Sequence, residues 1–463
     1  MNDSTQAWWR RPWTGAAALG AILVLAAALR LVGVRYALPY PFLNPDEANL
    51  VPRAWAIGHG QGLDPRWYDY PSLLMYVQAP FEALVHAPSY GVARGIAVAL
   101  GVGGVAATWW LGIRSYGRRA AIVGSATVAV ATIHVAYSRM AVTDVALTLA
   151  VTCALALMLA GRLEWAGLAV GLAAATKYPG AVAIVPLVVA GWGEWRRLAR
   201  AGLLAAGGFV VATPFVVLHA RTAWRSISHV NRLARAGWLG FEHDPATPVA
   251  YLDRLWQGVG PLLVLGLVGL GVALWRRRRA DLVLASFAIA YWLTLMPQRA
   301  HFDRYVLPLI PVVGVLAARI PWTAPLALGL LVLPLAWSIG DARGLTRTDT
   351  RVVAIPQLVR ALPVGAEVAV DPSSPPLGRR VLDLQLPGPG RPTDPNRNVA
   401  RLRARGVRYV LVTASVTDRV LRARGDYPRE SRFYDELAHL RPVVDVEPGH
   451  GLAGPWVRLY RIA

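Results

Sequence analysis

Long apolar runs separated by short Arg-rich connections fill the first 340 residues of this chain. A run of about 20 apolar residues is enough to cross roughly 30 Å of hydrocarbon. About eleven such runs are marked, at 14–34, 92–113, 120–137, 141–160, 165–176, 178–191, 201–218, 258–275, 281–296, 305–318 and 322–339. The first follows Trp8-Trp9-Arg10-Arg11-Pro12-Trp13 and has no small-residue cleavage site before the next polar stretch, so an uncleaved anchor is expected. The stretch 71–85 is apolar but only about 15 residues long and holds Glu82, which suits an interfacial or re-entrant helix better than a crossing.

The arginines set an orientation. With the N-terminus in the cytoplasm, the connections 114–119, 161–164, 194–200 and 276–279 lie inside and each carries Arg, as the positive-inside bias requires. One outer loop, 219–254, carries five arginines and strains that rule; reversing the topology would put Arg276-Arg277-Arg278-Arg279 outside, which strains it more. After Ile339 the pattern changes. Residues 340–463 hold 20 Arg and 13 Asp plus Glu with no long apolar run. Helical stretches are expected at 352–362 and 433–440, and strands at 367–370, 407–413, 443–446 and 456–461, with a Pro- and Gly-rich loop at 371–395. The expected fold class is therefore a mostly α polytopic membrane helical bundle (1–339, first outer loop 35–90) followed by a small soluble α/β domain (340–463) on the outer side.

Composition agrees with a polytopic membrane protein: 55% hydrophobic, mean hydropathy +0.40. Net charge is +21, from 47 Arg, one Lys and 27 acids. No basic and aromatic module of a nucleic-acid binder accompanies it, so no nucleic acid is expected, and membrane lipid is the nearer partner. The lone Cys153 lies in an apolar run and leaves the compartment undetermined.

The acids are unevenly placed. Ten of the fourteen before residue 340 fall on the expected outer face. Asn44-Pro45-Asp46-Glu47 reads as a helix start, with Asn at the N-cap, Pro at N1 and a capping-box Glu, or equally as a reactive carboxylate pair held at the membrane edge. Ser138-Arg139-Met140-Ala141-Val142-Thr143-Asp144 joins two nearly contiguous spans; the plain reading is a turn capped by Thr143 or Asp144. Lys177 interrupts an apolar stretch and is the only lysine, so a compact ammonium suited to a phosphate competes with ordinary snorkelling. Arg304, in His301-Phe302-Asp303-Arg304-Tyr305, opens another span at the outer surface. Arg53 and Arg66, with Trp55, Trp67, Tyr68 and Tyr70, give the first outer loop the mixture of a headgroup-level segment.

In their order along the chain, Pro45-Asp46-Glu47, Tyr68-Asp69-Tyr70-Pro71, Arg139 with Thr143-Asp144, Gly171-Leu172-Ala173-Ala174-Ala175-Thr176-Lys177 and Asp303-Arg304-Tyr305 resemble GT-C glycosyltransferases. They are most similar to the protein mannosyltransferase and lipid A aminoarabinose transferase branch, including rhizobial lipopolysaccharide glycosyltransferases. The C-terminal stretches Gly406–Val412 and Phe433–Leu437 look like tails of bacterial members. The resemblance implies transfer of a sugar from a polyprenyl phosphate to a hydroxyl of a glycolipid, polysaccharide or protein, with inversion, at the outer face of a bacterial-type inner membrane. It implies Asp46 as general base supported by Glu47, and Asp144 as an orienting group. Lys177, Arg304 and Arg139 are expected on the donor phosphate. A divalent cation (Mg or Mn), held by Glu47 and Asp144, is left open, and no other cofactor is expected. The rival class is a transporter or flippase of lipid-linked saccharides; no internal repeat is visible, and the acids gather at one face rather than mid-membrane.

Overall fold

The computed structural model describes residues 12–463, and the aromatic-basic flank at 8–11 that precedes the first apolar run lies outside them. The described chain is mostly helical, 64%. Tyr90–Ser115 is the longest helix among the described residues; its N-cap Ser89 accepts the Val92 N–H, and it passes without a break from the end bearing Asp46 to the opposite end. Among the described residues two helical runs are long and apolar enough to cross a membrane, Tyr90–Ser115 and Pro321–Gly344, and a third is added if the bent pair Thr247–Val259 and Leu262–Arg276, which turns through 116°, counts as one.

Most of the other apolar runs are shorter helices or broken ones, and the breaks have identifiable causes. The run expected at 120–137 is split into Arg118–Val130 and Thr132–Tyr137 by an extended Ala131 (ψ 117°). The carbonyls of Val128 and Ala129 are taken up by the buried Arg30 guanidinium, at 2.8 and 2.9 Å, which also meets His134 and Ser138. A cation from a neighbouring helix thus replaces part of the missing backbone ladder. The run at 178–191 begins as a 3-10 turn, Tyr178–Ala183, before Ile184–Ala190. At 201–218 the chain forms Trp195–Ala212 and Pro214–Leu218, broken at Thr213 before the proline. Leu73–Glu82 has ten residues, about 15 Å of helix and half the hydrocarbon thickness.

Helices Leu163–Thr176 and Trp195–Ala212 touch backbone to backbone. A Cβ on Gly167 would stand 2.0 Å from the Ala201 carbonyl oxygen, and one on Gly171 2.1 Å from that of Ala205. Two small residues four apart on each helix permit this close crossing, the packing used where lipid removes the hydrophobic drive between helices. It fixes the helix that ends at Lys177.

Beyond Gly344 the chain forms a five-stranded mixed sheet, in the order Leu382–Asp383, Val368–Val370, Tyr409–Thr413, Val457–Arg461, Pro442–Val446. The first three strands are parallel and the last two antiparallel to their neighbours. Every residue of the central Tyr409–Thr413 strand is buried because both faces are covered. Thr350–Ala361 covers one face, and Val399–Ala404, Ala414–Arg422 and Pro428–Ala438 the other. Val399–Ala404 and Ala414–Arg422 are additional to the elements expected from sequence. This portion rests on the site end of the bundle: Leu239 enters its core, Glu242 accepts the Tyr427 hydroxyl at 2.6 Å, and Arg351 donates to the Phe42 carbonyl. The opposite end gathers Tyr116–Asp281–Arg319 and Arg197–Glu164 contacts.

Candidate active site

Five chain segments bring the site together. Asp46 stands just ahead of helix Glu47–Gly58, and the Asn44 side chain accepts its N–H at 3.0 Å, so Asn44 braces the turn although the helix itself starts at Glu47. Its carboxylate Oδ2 accepts Arg304 Nη1 at 2.6 Å and the Tyr70 hydroxyl at 3.0 Å. Asp144 lies in the first turn of Thr143–Leu159 and caps nothing; its Oδ1 accepts Lys177 Nζ at 2.6 Å. Lys177 sits in extended backbone between Leu163–Thr176 and the following 3-10 turn. Its ammonium is 5.3 Å from the Tyr70 ring and 5.2 Å from the Tyr305 ring, within cation–π reach of both. Neither Lys177 nor Arg304 snorkels; both are sequestered against carboxylates and aromatic faces.

The two ion pairs are therefore bridged by Tyr70 and Tyr305 into one cluster. It is incompletely satisfied: Asp144 Oδ2, Arg304 Nε and the Thr143 hydroxyl are buried without a hydrogen-bond partner. Buried polar atoms are usually paired, so these three leave hydrogen-bonding capacity beside the ion pairs for a ligand to take up. Burial opposes charge on Asp46, but Arg304, Lys177 and Tyr70 outweigh it and hold the carboxyl below the ordinary aspartate value.

Beside this cluster opens a cavity of about 270 Å³. Asp69, Tyr70 and Lys177 form its polar edge. Val182, Ile227, Val230, Ala234 and Leu295 make most of the remaining wall apolar, with Asn231, Thr294 and Gln298 as polar exceptions. Asp69 was not expected in the site. Burial raises its carboxyl above the ordinary value, against the opposing pull of Trp67, His229 and Arg53. Tyr70 and Tyr305 are also additions; the aromatic density of the first loop concealed which ring would meet a carboxylate.

Two expected site residues lie elsewhere. Glu47 is fully buried and bidentate to Arg94, Oε1 to Nε at 2.8 Å and Oε2 to Nη2 at 2.7 Å, and Oε1 also accepts the Ala141 N–H. It ties three segments together and neither supports Asp46 nor caps the helix. Arg139 donates to Asp341 at 2.6 Å and to the Leu29 carbonyl at 2.7 Å, joining the first helix to Val332–Gly344 rather than facing the cavity. Nor do Glu47 and Asp144 fit a shared divalent cation, since both oxygens of Glu47 are engaged and Asp144 already pairs with a lysine. Among the described residues no group of three or more His, Cys, Asp or Glu is placed to hold a metal.

Similar folds occur among solved membrane glycosyltransferases. ArnT from Cupriavidus metallidurans in the apo state matches with a TM-score of 0.59 at 16% identity, covering 96% of this chain and 97% of that one. The same protein bound to undecaprenyl phosphate matches at 0.56 and 16%, covering 96% and 98%. The Archaeoglobus fulgidus oligosaccharyltransferase tethered with an acceptor peptide matches at 0.59 and 12%, covering 92% of this chain and 72% of that one. At these identities the likeness is one of fold. This fold and the family match that follows together support the class, a GT-C superfamily glycosyltransferase, whose relatives are integral membrane proteins. The model of Glycosyltransferase family 87 matches residues 67–298, half of the sequence, and the chain belongs to that family. A search of the curated proteins finds no match.

Proposed function

We propose that the chain transfers a sugar from a polyprenyl phosphate to an acceptor hydroxyl, with inversion, at the extracytoplasmic end of an eleven-crossing bundle. The C-terminal α/β portion is then an outer domain above the site. The observation that carries this reading is the placement of a paired, desolvated Lys177 on the edge of a largely apolar cavity, with a second paired cation, Arg304, joined to it through Tyr70 and Tyr305. A prenyl-linked phosphate needs that combination, cations for its head and an apolar wall for its tail. The undecaprenyl phosphate held by ArnT, which shares the fold, supports the same class of donor.

The acceptor oxygen attacks the anomeric carbon from the face opposite the phosphate. The carbon–oxygen bond to phosphate breaks, its electron pair passes to the phosphate oxygen, and the acceptor proton goes to Asp46. Lys177 and Arg304 stabilise the charge that develops on the leaving phosphate. A positioned base contributes on the order of 10² to 10⁴ in rate. Asp69 is the second candidate for that role, because its raised carboxyl lies nearer the working pH. No step requires a metal.

The test is purified protein in liposomes with a polyprenyl-phosphate sugar. Release of polyprenyl phosphate with glycosylated acceptor supports the enzyme, and Asp46→Asn removes that release when turnover is read per unit of folded protein. Movement of intact donor between leaflets without cleavage would overturn it in favour of the flippase.

A further inference from the structure

Helix Ala220–Ala236 is the outer-loop segment that strains the positive-inside rule. At 100° per residue, Arg221, Arg225, Arg232 and Arg235 fall within an arc of about 80°, spread over about 21 Å of helix. All four are exposed. None makes an ion pair or hydrogen bond among the described residues. This sets them apart, since most cations near the site are paired: Arg304 with Asp46, Arg254 with Asp244, Arg351 with Asp349. The reverse face of the same helix, Ile227, Val230 and Ala234, roofs the apolar cavity beside Lys177.

The surroundings of the stripe are those of a membrane boundary. Helix Pro214–Leu218 leads directly into it with Val217 46% and Leu218 70% exposed, a surface that lipid would cover. Trp224, 70% exposed, lies on the flank of the arginine stripe. An exposed Trp beside clustered Arg, on a helix entered from an exposed apolar one, suits the headgroup plane, where each Arg gains from anionic lipid.

Resting on the membrane orientation given above, we propose that this stripe binds the anionic headgroups of outer-leaflet phospholipids, making the helix a lipid-anchored roof over the cavity. Positive charge on the outer side is then retained because a negatively charged surface meets it there. The partner is recognised by charge alone, with no headgroup stereochemistry.

The test reads binding rather than turnover, so it stands apart from the transferase assignment. Full-length protein is extracted from bilayers of phosphatidylcholine with a minority of phosphatidylglycerol, and retained lipids are counted by native mass spectrometry. Wild type is expected to retain phosphatidylglycerol enriched roughly five-fold per site over its bulk share, with the enrichment lost near 1 M salt, where the screening length falls to about 3 Å. The quadruple Arg→Gln variant loses the enrichment and the quadruple Arg→Lys variant keeps it; Gln and Lys match Arg in helix propensity, so the helix is preserved. Equal retention by wild type and the Gln variant overturns the proposal. So does unchanged lipid retention with loss of binding to a soluble polyanion such as dextran sulfate, which would make the stripe a docking site for a charged polymer.

Discussion

Replacing Lys177 by Met separates the two things this lysine does. Its side chain is 8% exposed and that of Asp144 3%, at 2.6 Å, so the substitution strands a buried carboxylate, a change that costs about 3–5 kcal/mol. For a chain of 463 residues, an unfolding entropy near 2.1 cal/mol/K per residue makes that a fall of about 3–5 °C in Tm. The double variant Lys177→Met with Asp144→Asn removes both charges and should recover most of the loss. If Lys177 also grips the donor phosphate, the lost charged hydrogen bond costs about 1.5–3 kcal/mol, a roughly 10- to 150-fold weaker donor. That deficit should remain in the double variant. Thermal unfolding in detergent and titration with a fluorescent polyprenyl phosphate measure the two effects on the same samples. Recovery of donor affinity along with stability would refute the phosphate role and leave the lysine as a counter-ion for Asp144.

The pH profile distinguishes the two candidate bases. Asp46 lies below the ordinary value of 3.8, so with Asp46 as base kcat/KM stays flat as pH falls to about that value. Asp69 lies above it, and an acid limb at higher pH that disappears in Asp69→Asn assigns the base there. The sign for stability is fixed too: a depressed carboxyl makes the Asp46–Arg304 pair stabilising at and above pH 3.8, with the contribution lost as pH falls through the lower folded value. Gly180→Ala would bring a Cβ to 2.4 Å from the Ala173 backbone; the overlap costs about 1–3 kcal/mol and shifts the turn after Lys177, so donor KM should rise more than kcat falls. Glu47→Gln should lower the folded yield by stranding Arg94. The pair Glu47→Met with Arg94→Met should restore both yield and transfer, whereas yield restored without transfer would return Glu47 to the chemistry.

What the sequence made legible follows from how each signal is carried. Apolar run length and the abrupt rise in charge after Ile339 announce a helical bundle and a differently built C-terminal portion, because burial in lipid dictates composition locally. The single lysine among 47 arginines singled out a position that the structure brings onto Asp144. Other features depend on partners far along the chain. Arg94 reads as one cation at the end of an apolar run, and only the fold reveals its bidentate grip on Glu47, 47 residues away. The break at Ala131 carries no Pro or Gly signal, since it is sustained from outside by Arg30. Glu47 fits a capping box by spacing, but a buried guanidinium competes more strongly for its oxygens than an exposed backbone N–H. Arg139 and Asp144, five residues apart, were read as one membrane edge; they meet different helices.

The arrangement of charges suggests why each cation rests on a carboxylate. Before donor binds, the cluster of Arg304, Lys177, Asp46 and Asp144 is neutral overall, which keeps desolvated cations tolerable. In the mechanism proposed above, the leaving phosphate gains a negative charge as the acceptor proton neutralises Asp46, so the total charge in the site stays constant. Arg304 loses its carboxylate partner in the same step and can turn its full charge to the phosphate, with buried Nε already unpartnered. Stabilisation thus grows toward the transition state rather than being spent on bound substrate. One consequence is specific: Asp46→Asn, which mimics the protonated carboxyl, should lose turnover yet bind polyprenyl phosphate more tightly, by about ten-fold for one charged hydrogen bond released to the ligand. Unchanged or weaker binding of polyprenyl phosphate by that variant would mean Arg304 does not exchange partners, and that its pairing with Asp46 is only structural.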